Sequence, residues 1–280
     1  MNIHIVVCHH NNPNKLKETI STFSDIQSSY TTTYLIDNRS RHEDLKSAVS
    51  VFDLAGIPYE LIRRENQNRE AGAYWHYILS EFPKFDEISR PDVVLFTQEE
   101  LHQFPMAPKG RESSAENPFY PHHYGPGGIE LQRIAEYLIE NHKDQVGFGG
   151  RIECSHRYFD RRWRFGYWRE RWKALKFSHY RFFSGACFAV HQSMLEIYRE
   201  LAEPSATDFN DPYFPWMWER MWGTIPYVAG GRLVHYKDFS ETVRIRYSRF
   251  RTVKALVRDL PYYISKSLGG QPKSRMFAGS

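Results

Sequence analysis

The stretch from Asn66 to Glu100 concentrates the side chains best suited to chemistry. Asn68 and Arg69 stand just before Ala71, Tyr74, Trp75, Ile78 and Leu79, which recur at helical spacing. That spacing predicts a helix capped by Asn66 or Asn68, with Arg69 and Glu70 in its first turn. A helix N-terminus beside an arginine favours an anion such as a diphosphate. The run Val93 to Phe96 then reads as a strand buried on both faces, and it empties into Thr97, Gln98, Glu99 and Glu100. Carboxylates at such a strand end are expected at the carboxyl edge of a sheet, where open α/β sheets bind ligands. There they are able to hold the divalent cation that a diphosphate brings, Mn²⁺ or Mg²⁺. The competing readings are a solvated acidic turn and plain helix capping by Asn68.

Positioning these groups requires a sheet, and the chain before them supplies one. Ile3 to Cys8 is an apolar strand ending in His9, His10, Asn11 and Asn12, after which Pro13 opens a helix. Thr33 to Ile36 is a second strand, ending in Asp37, Asn38, Arg39 and Ser40. Leu45, Val49, Phe52 and Leu54 suit a helix closed near Gly56, and Tyr59 to Ile62 is a third strand. Strand and helix alternate, which argues for a parallel sheet with right-handed crossovers. Three strand ends carry polar ligand-type residues, and that repetition says more than any one of them.

Beyond Glu100 the pattern loosens. Residues 105 to 128 are rich in Pro, Gly, Ser and His and read as a long loop. A helix is expected from Gly128 to His142, with Leu131, Ile134, Leu138 and Ile139 inward. Phe182 to Val190 reads as one strand interrupted at Gly185, where a ligand or another strand can approach the backbone closely. Further helices are expected at Met194 to Ala202 and Pro212 to Trp222, and a last short strand at Leu233 to Tyr236.

Composition sets the class. A charged share of 25% and a hydrophobic share of 41% fit a soluble globular chain, long enough at 280 residues to bury a core. The aromatic share of 16% suits flat, polar-edged ligands such as sugars or bases, although many of these rings must be core. A net charge of +4 permits a polyanionic partner without requiring one. Cys8, Cys154 and Cys187 lie in or near apolar runs with no CxxC, which predicts reduced, buried thiols and a cytoplasmic protein. The start MNIHIVVCHHNN is not a signal peptide, and no run is long enough to span a membrane.

In motif order the chain resembles the GT-A fold glycosyltransferases. The resemblance is strongest to a branch of that superfamily with an Asn-x-Gly-Arg-Glu helix start and a Glu-Arg-x-Trp motif. The matching residues here are Asn66 to Glu70 with Tyr74 and Tyr77, then Phe96-Thr97-Gln98. They continue with Gly185 to Val190 and Glu219-Arg220-Met221-Trp222. The superfamily's Asp-x-Asp metal motif is replaced by Gln98-Glu99-Glu100. The resemblance covers roughly residues 1 to 240. It implies a mostly parallel mixed sheet flanked by helices, with a nucleotide-sugar-binding half at 1–104 and an acceptor-side half at 128–240. Residues 241–280 then form a basic helical tail, a candidate for weak contact with a membrane surface.

The implied activity is transfer of a hexose or pentose, from UDP, to a hydroxyl of a glycan or glycoconjugate. On that reading Val7, Cys8 and His9 line the base pocket, and Asp37 binds base or ribose with help from Asn38 and Arg39. Asn68, Arg69 and Gln98 hold the diphosphate and sugar, and Glu99, Glu100 and His235 are the metal ligands. Glu219 is the general base for an inverting transfer, its carboxyl desolvated by Trp216, Trp218 and Trp222, with Asp211 in reserve. Trp168, Gly185, Trp216 and Trp218 are the acceptor contacts.

The rival is a non-catalytic sugar- or single-stranded nucleic-acid-binding protein. Arg161, Arg162, Trp163, Arg164, Tyr167, Trp168, Arg169, Arg171 and Trp172 interleave charge with aromatic rings as such a groove does. No RNP1, KH or zinc-finger spacing accompanies them, so nucleic acid ranks below the transferase reading.

Overall fold

A computed structural model describes residues 1–17, 31–65, 68–99, 128–148, 151–155, 166–175, 179–183 and 186–239. The described residues fall within the compact unit Met1–Glu241. Asn66, Glu100, Gly185, Arg161 to Arg164 and the basic tail lie outside them.

The architecture is the expected one: a mostly parallel mixed sheet flanked by helices. Its seven strands run in the order β3-β2-β1-β4-β8-β5-β9. β1 (Ile3–His9), β2 (Thr31–Asn38), β3 (Tyr59–Arg64) and β4 (Val93–Gln98) are mutually parallel. β8 (Phe188–His191) is antiparallel to both β4 and β5 (Gln145–Gly147), and β9 (Leu233–His235) is parallel to β5. All strands except β8 therefore present their carboxyl ends at one edge.

β1 is buried along its whole length, which explains its near-continuous apolar sequence. Successive side chains point to opposite faces. Val6, Cys8, Tyr34, Ile36, Val94 and Phe96 fall in the cluster that also contains the helix α2 (Arg69–His76). α2 runs on through a π turn at Tyr77–Glu81 and a 3₁₀ turn at Phe82–Lys84. Between β2 and β3 lies α1 (His42–Ala55), closed by Gly56 in the left-handed conformation with φ 66°. Leu45 and Phe52 are buried on its inner face, while Leu54 is 89% exposed.

The second half differs more from expectation. The run Phe182 to Val190 is two strands: β7 (His179–Phe183) pairs with β6 (Arg151–Ser155) in a separate small sheet, and β8 joins the main one. α3 (Gly128–Glu140) buries Leu131, Ile134 and Leu138, but Ile139 is exposed. α4 is Gly166–Arg171, α5 is Ser193–Ala202, and α6 is the single turn Ala206–Phe209.

The helix expected at Pro212 to Trp222 runs from Phe214 to Val228, as α7. It lies on β7 at very short range: a Cβ on Gly223 would sit 2.6 Å from Arg181 O and from Phe182 Cα. Trp75, Trp172, Trp218 and Trp222 pack together between α2 and α7, with Trp75 and Trp218 centroids 4.7 Å apart. Among the described residues no helix is long and apolar enough to cross a membrane.

Candidate functional site

β1 to β3 are laid down in one direction, and β4 returns to the other side of β1. The carboxyl ends of β1 and β4 therefore flank a topological switch point, where open sheets form a crevice. Glu99 closes this point. Its carboxylate accepts from the His10 backbone N–H at 2.8 Å, and its own N–H donates to Cys8 O at 3.0 Å. His9 Nδ1 lies 2.6 Å from Glu99 Oε2, a close contact without hydrogen-bond alignment.

Asn38 ties this crevice to the helix beyond it. Its amide donates to Arg69 O at 3.0 Å and to Cys8 Sγ at 3.1 Å. Its backbone carbonyl oxygen accepts from His10 Nδ1 at 2.8 Å. The pleat explains the geometry: Asn38 and Cys8 point to the α2 side of the sheet, while Asp37 and His9, register partners, point to the other. Burial pushes the Cys8 thiol well up, helped by the nearby Glu70, Glu99 and Asp37, so it is a neutral hydrogen-bond partner and no nucleophile. Burial likewise pushes Cys187 up to about 12, against Thr97 and Gln98.

Backbone strain collects at the same edge. Asn11, Arg39, Asn68, Arg69 and Ala186 have φ between 50° and 65°. These are the described non-glycine residues in the left-handed region. Each follows the end of β1, β2 or β3, or precedes the start of antiparallel β8, so all lie at the carboxyl edge of the sheet. Such conformations cost roughly 1–3 kcal/mol each and gather where a site over-determines them. Asn68 does not cap α2 through its side chain; its amide donates to Phe209 O at 2.6 Å instead. Arg69 is exposed, with its guanidinium 5.3 Å from the Trp216 ring centroid. Arg69, Trp216 and the start of α7 thus meet at the rim.

Several expected roles need correction. Asp37 is fully buried; it accepts from Ser40 N–H at 3.3 Å and lies 3.4 Å from Arg63, so it fixes the rim and does not face a base. Val7 and Cys8 are core, and the side chain of His9 is enclosed, so these three do not form the wall of an open pocket. Arg39 is exposed and paired with Glu65 at 2.7 Å. Trp168 and Trp218 are 1% and 0% exposed; they pack in the interior and offer no acceptor surface. Burial of Trp168 and Trp172 likewise removes two rings from the expected nucleic-acid stacking platform.

The tryptophan cage around Glu219 does not form. Helical spacing puts Trp218 and Trp222 together on the buried face, and Glu219 turns out to meet Arg220 at 2.5 Å. Its side chain retains 20% exposure. Asp211 lies in the turn before α7, its carboxylate accepting from Tyr213 N–H at 2.7 Å.

The metal set is also corrected. Register runs Phe96, Phe188, Gly147, His235 across the sheet, which places His235 about 14 Å from Phe96 at the usual strand spacing. Its ring packs on Phe183 and Tyr236, and it cannot share an ion with Glu99. Among the described residues no three His, Cys, Asp or Glu side chains cluster as ligands. Glu99 is the carboxylate on hand, already engaged by His9 and His10. The described members of the expected set, Glu99 and His235, do not form a metal centre between them, and Glu100 lies outside the described residues.

Sequence reading missed the linking role of Asn38, and it gave no separate role to Arg63, Ser40 or Ala186. The Asn and Ser types after each strand were the available signal.

No protein-family profile matches the chain, and neither does any curated protein sequence. Solved structures resemble it at low identity. The S. aureus TarS 1–349 structure is 13% identical with a TM-score of 0.35, over 52% of this chain and 34% of that one. The mannosyltransferase PcManGT from Pyrobaculum calidifontis, in complex with GDP-Man and Mn²⁺, is 10% identical with a TM-score of 0.41, over 72% and 46%. The glucosyl-3-phosphoglycerate synthase from Mycobacterium tuberculosis, in complex with Mn²⁺ and UDP-glucose, is 12% identical with a TM-score of 0.42, over 97% and 80%. The chain thus spans about a third of the TarS 1–349 chain.

Proposed function

We propose that this chain is a nucleotide-sugar-dependent glycosyltransferase of the GT-A type. The observation that carries the reading is the rim at the β1/β4 switch point. There Glu99, His10, Asn38 and Arg69 are joined by hydrogen bonds, and the left-handed residues gather around them. A nucleoside diphosphate fits such a place, because an exposed arginine and a helix N-terminus offer positive charge to the diphosphate. The ring of Trp216 holds the Arg69 guanidinium at the rim, and itself offers a face to a sugar.

The donor is a UDP-hexose or UDP-pentose and the acceptor a hydroxyl of a glycan or glycoconjugate. Glu219 takes the acceptor proton as the hydroxyl oxygen bonds to the anomeric carbon. The bond from that carbon to the diphosphate breaks, and UDP departs with the electron pair beside Arg69. The product is inverted. Arg220, bonded to both Glu219 and Trp216 O, holds the carboxylate in place. No step is routed through a metal, since the described donor set does not assemble a centre for one.

The test is consumption of UDP-sugars, with and without Mn²⁺, by the wild type and Glu219→Gln. Turnover is expected to fall by about a hundredfold in the variant with UDP affinity unchanged. Unchanged turnover removes Glu219 from the role, and no consumption of any nucleotide sugar removes the reading.

A further inference from the structure

A second polar site adjoins α2, lined by none of the residues assigned to the donor. A cavity of about 210 Å³ is bounded by Arg64 at the end of β3, by Gly72, Trp75, His76, Leu79 and Ser80 of α2 and its π turn, and by Phe209. Its lining is rich in donors and short of acceptors. Arg64 Nη1 and Trp75 Nε1 are both buried without a hydrogen-bond partner. Trp75 is 0% exposed, and Arg64 is half-buried. Among the described residues no carboxylate lies within ion-pair distance of Arg64, whereas its neighbour Arg63 reaches Asp37 and Arg39 reaches Glu65.

A buried guanidinium with an open donor costs free energy unless an anion answers it. Glu81, in the π turn beside the cavity, is already taken by Lys84 at 2.6 Å and by His76 at 3.3 Å. The π turn begins directly after His76 and carries Ser80; such turns recur at ligand sites. Burial and the Arg64 charge keep the His76 imidazole below its ordinary value, so at neutral pH it is an uncharged polar wall.

We propose that this cavity binds a small oxyanion of the phosphate or phosphate-monoester class, held by the Arg64 guanidinium, the Trp75 indole N–H and the Ser80 hydroxyl. The volume admits a phosphate group. The consequence is mechanical. α2 and Phe209 both line the cavity, and Asn68 at the head of α2 already grips Phe209 O. An occupant bridges the same two elements and stiffens the helix that presents Arg69. The proposal stands apart from the transferase reading and does not need it.

Thermal unfolding and tryptophan fluorescence of the full chain, titrated with inorganic phosphate and with glycerol 3-phosphate, test this, with sodium chloride of equal ionic strength as control. A saturable rise in Tm of a few degrees is expected with phosphate and not with chloride. Tighter binding of the ester marks the anionic head of a larger ligand, and equal binding marks a free anion; either supports the site. Arg64→Met is expected to weaken binding by at least about tenfold, and Arg64→Lys by less. Should Arg64→Met not fold, Ser80→Phe, at an exposed position on the cavity mouth, is expected to abolish the response. No saturable response in the wild type, or undiminished affinity in these variants, overturns the proposal.

Discussion

Replacing Asn38 by alanine isolates the contact that joins the sheet edge to α2. The residue is fully buried, and its amide donates to Arg69 O at 3.0 Å and to Cys8 Sγ at 3.1 Å. A typical buried hydrogen bond contributes about 1 kcal/mol net, and the bond to sulfur less. Leaving the Arg69 carbonyl unsatisfied adds a desolvation cost, while removal of the unpartnered Asn38 Oδ1 offsets part of it. The sum is about 2 kcal/mol, or a fall in Tm of roughly 4–8 °C for a domain of this size. Arg69 is also released from its left-handed conformation, so UDP affinity is expected to fall about tenfold, near 1.4 kcal/mol. Calorimetry for Tm and titration calorimetry for UDP read the two effects on one sample. Asn38→Asp is the sharper companion: it keeps the volume but turns an acceptor toward the Arg69 carbonyl, and its stability loss is expected to be at least as large. A Tm within one degree of wild type in Asn38→Ala, with UDP affinity unchanged, would refute the linking role.

Other expectations follow from burial and charge. His4 is 2% exposed and its pKa is lowered by burial from 6.5 to about 4. The folded value lies below the unfolded one, so stability present above pH 6.5 is lost as pH falls toward 4, about 3 kcal/mol in full. Urea unfolding at pH 7 and pH 4.5 reads this, and His4→Gln is expected to remove most of the His4 share; an unaltered pH slope contradicts it. Trp218→Ala is expected to cost about 3–5 kcal/mol from the core. Trp216→Ala, at 37% exposure, is expected to cost under about 1 kcal/mol yet weaken UDP binding by loosening Arg69. Equal stability losses in denaturant titrations of the two would contradict the placement of these rings.

The first hundred residues were legible because β1, β2 and β4 are largely buried on both faces and end abruptly in polar residues. An unbroken apolar run such as IHIVVCH followed by a histidine and asparagines marks both a strand and its edge. The Arg69 helix was legible from its apolar repeat. What escaped were relations that only three dimensions set. The FFSGACFAV run hides a change of sheet, since both pieces are apolar and only pairing tells them apart. Glu219 among tryptophans reads as a desolvated carboxylate, but Trp218 lies about 100° round the helix from it on the buried face, and Glu219 pairs with Arg220 instead. His235 ends its strand at the right edge, yet strand order moves it three strands from Glu99. Asn38 was seen as a helper to Asp37; the pleat, which sends the two to opposite faces, makes it the residue that reaches Arg69.

Titration of UDP into the wild type and Arg69→Ala is the most direct measurement of the central claim. Saturable binding by the wild type, weakened by at least about tenfold in Arg69→Ala with an unchanged Tm, is the predicted result. A wild type that binds no nucleoside diphosphate, or one that binds it with the same affinity after Arg69 is removed, would contradict the account.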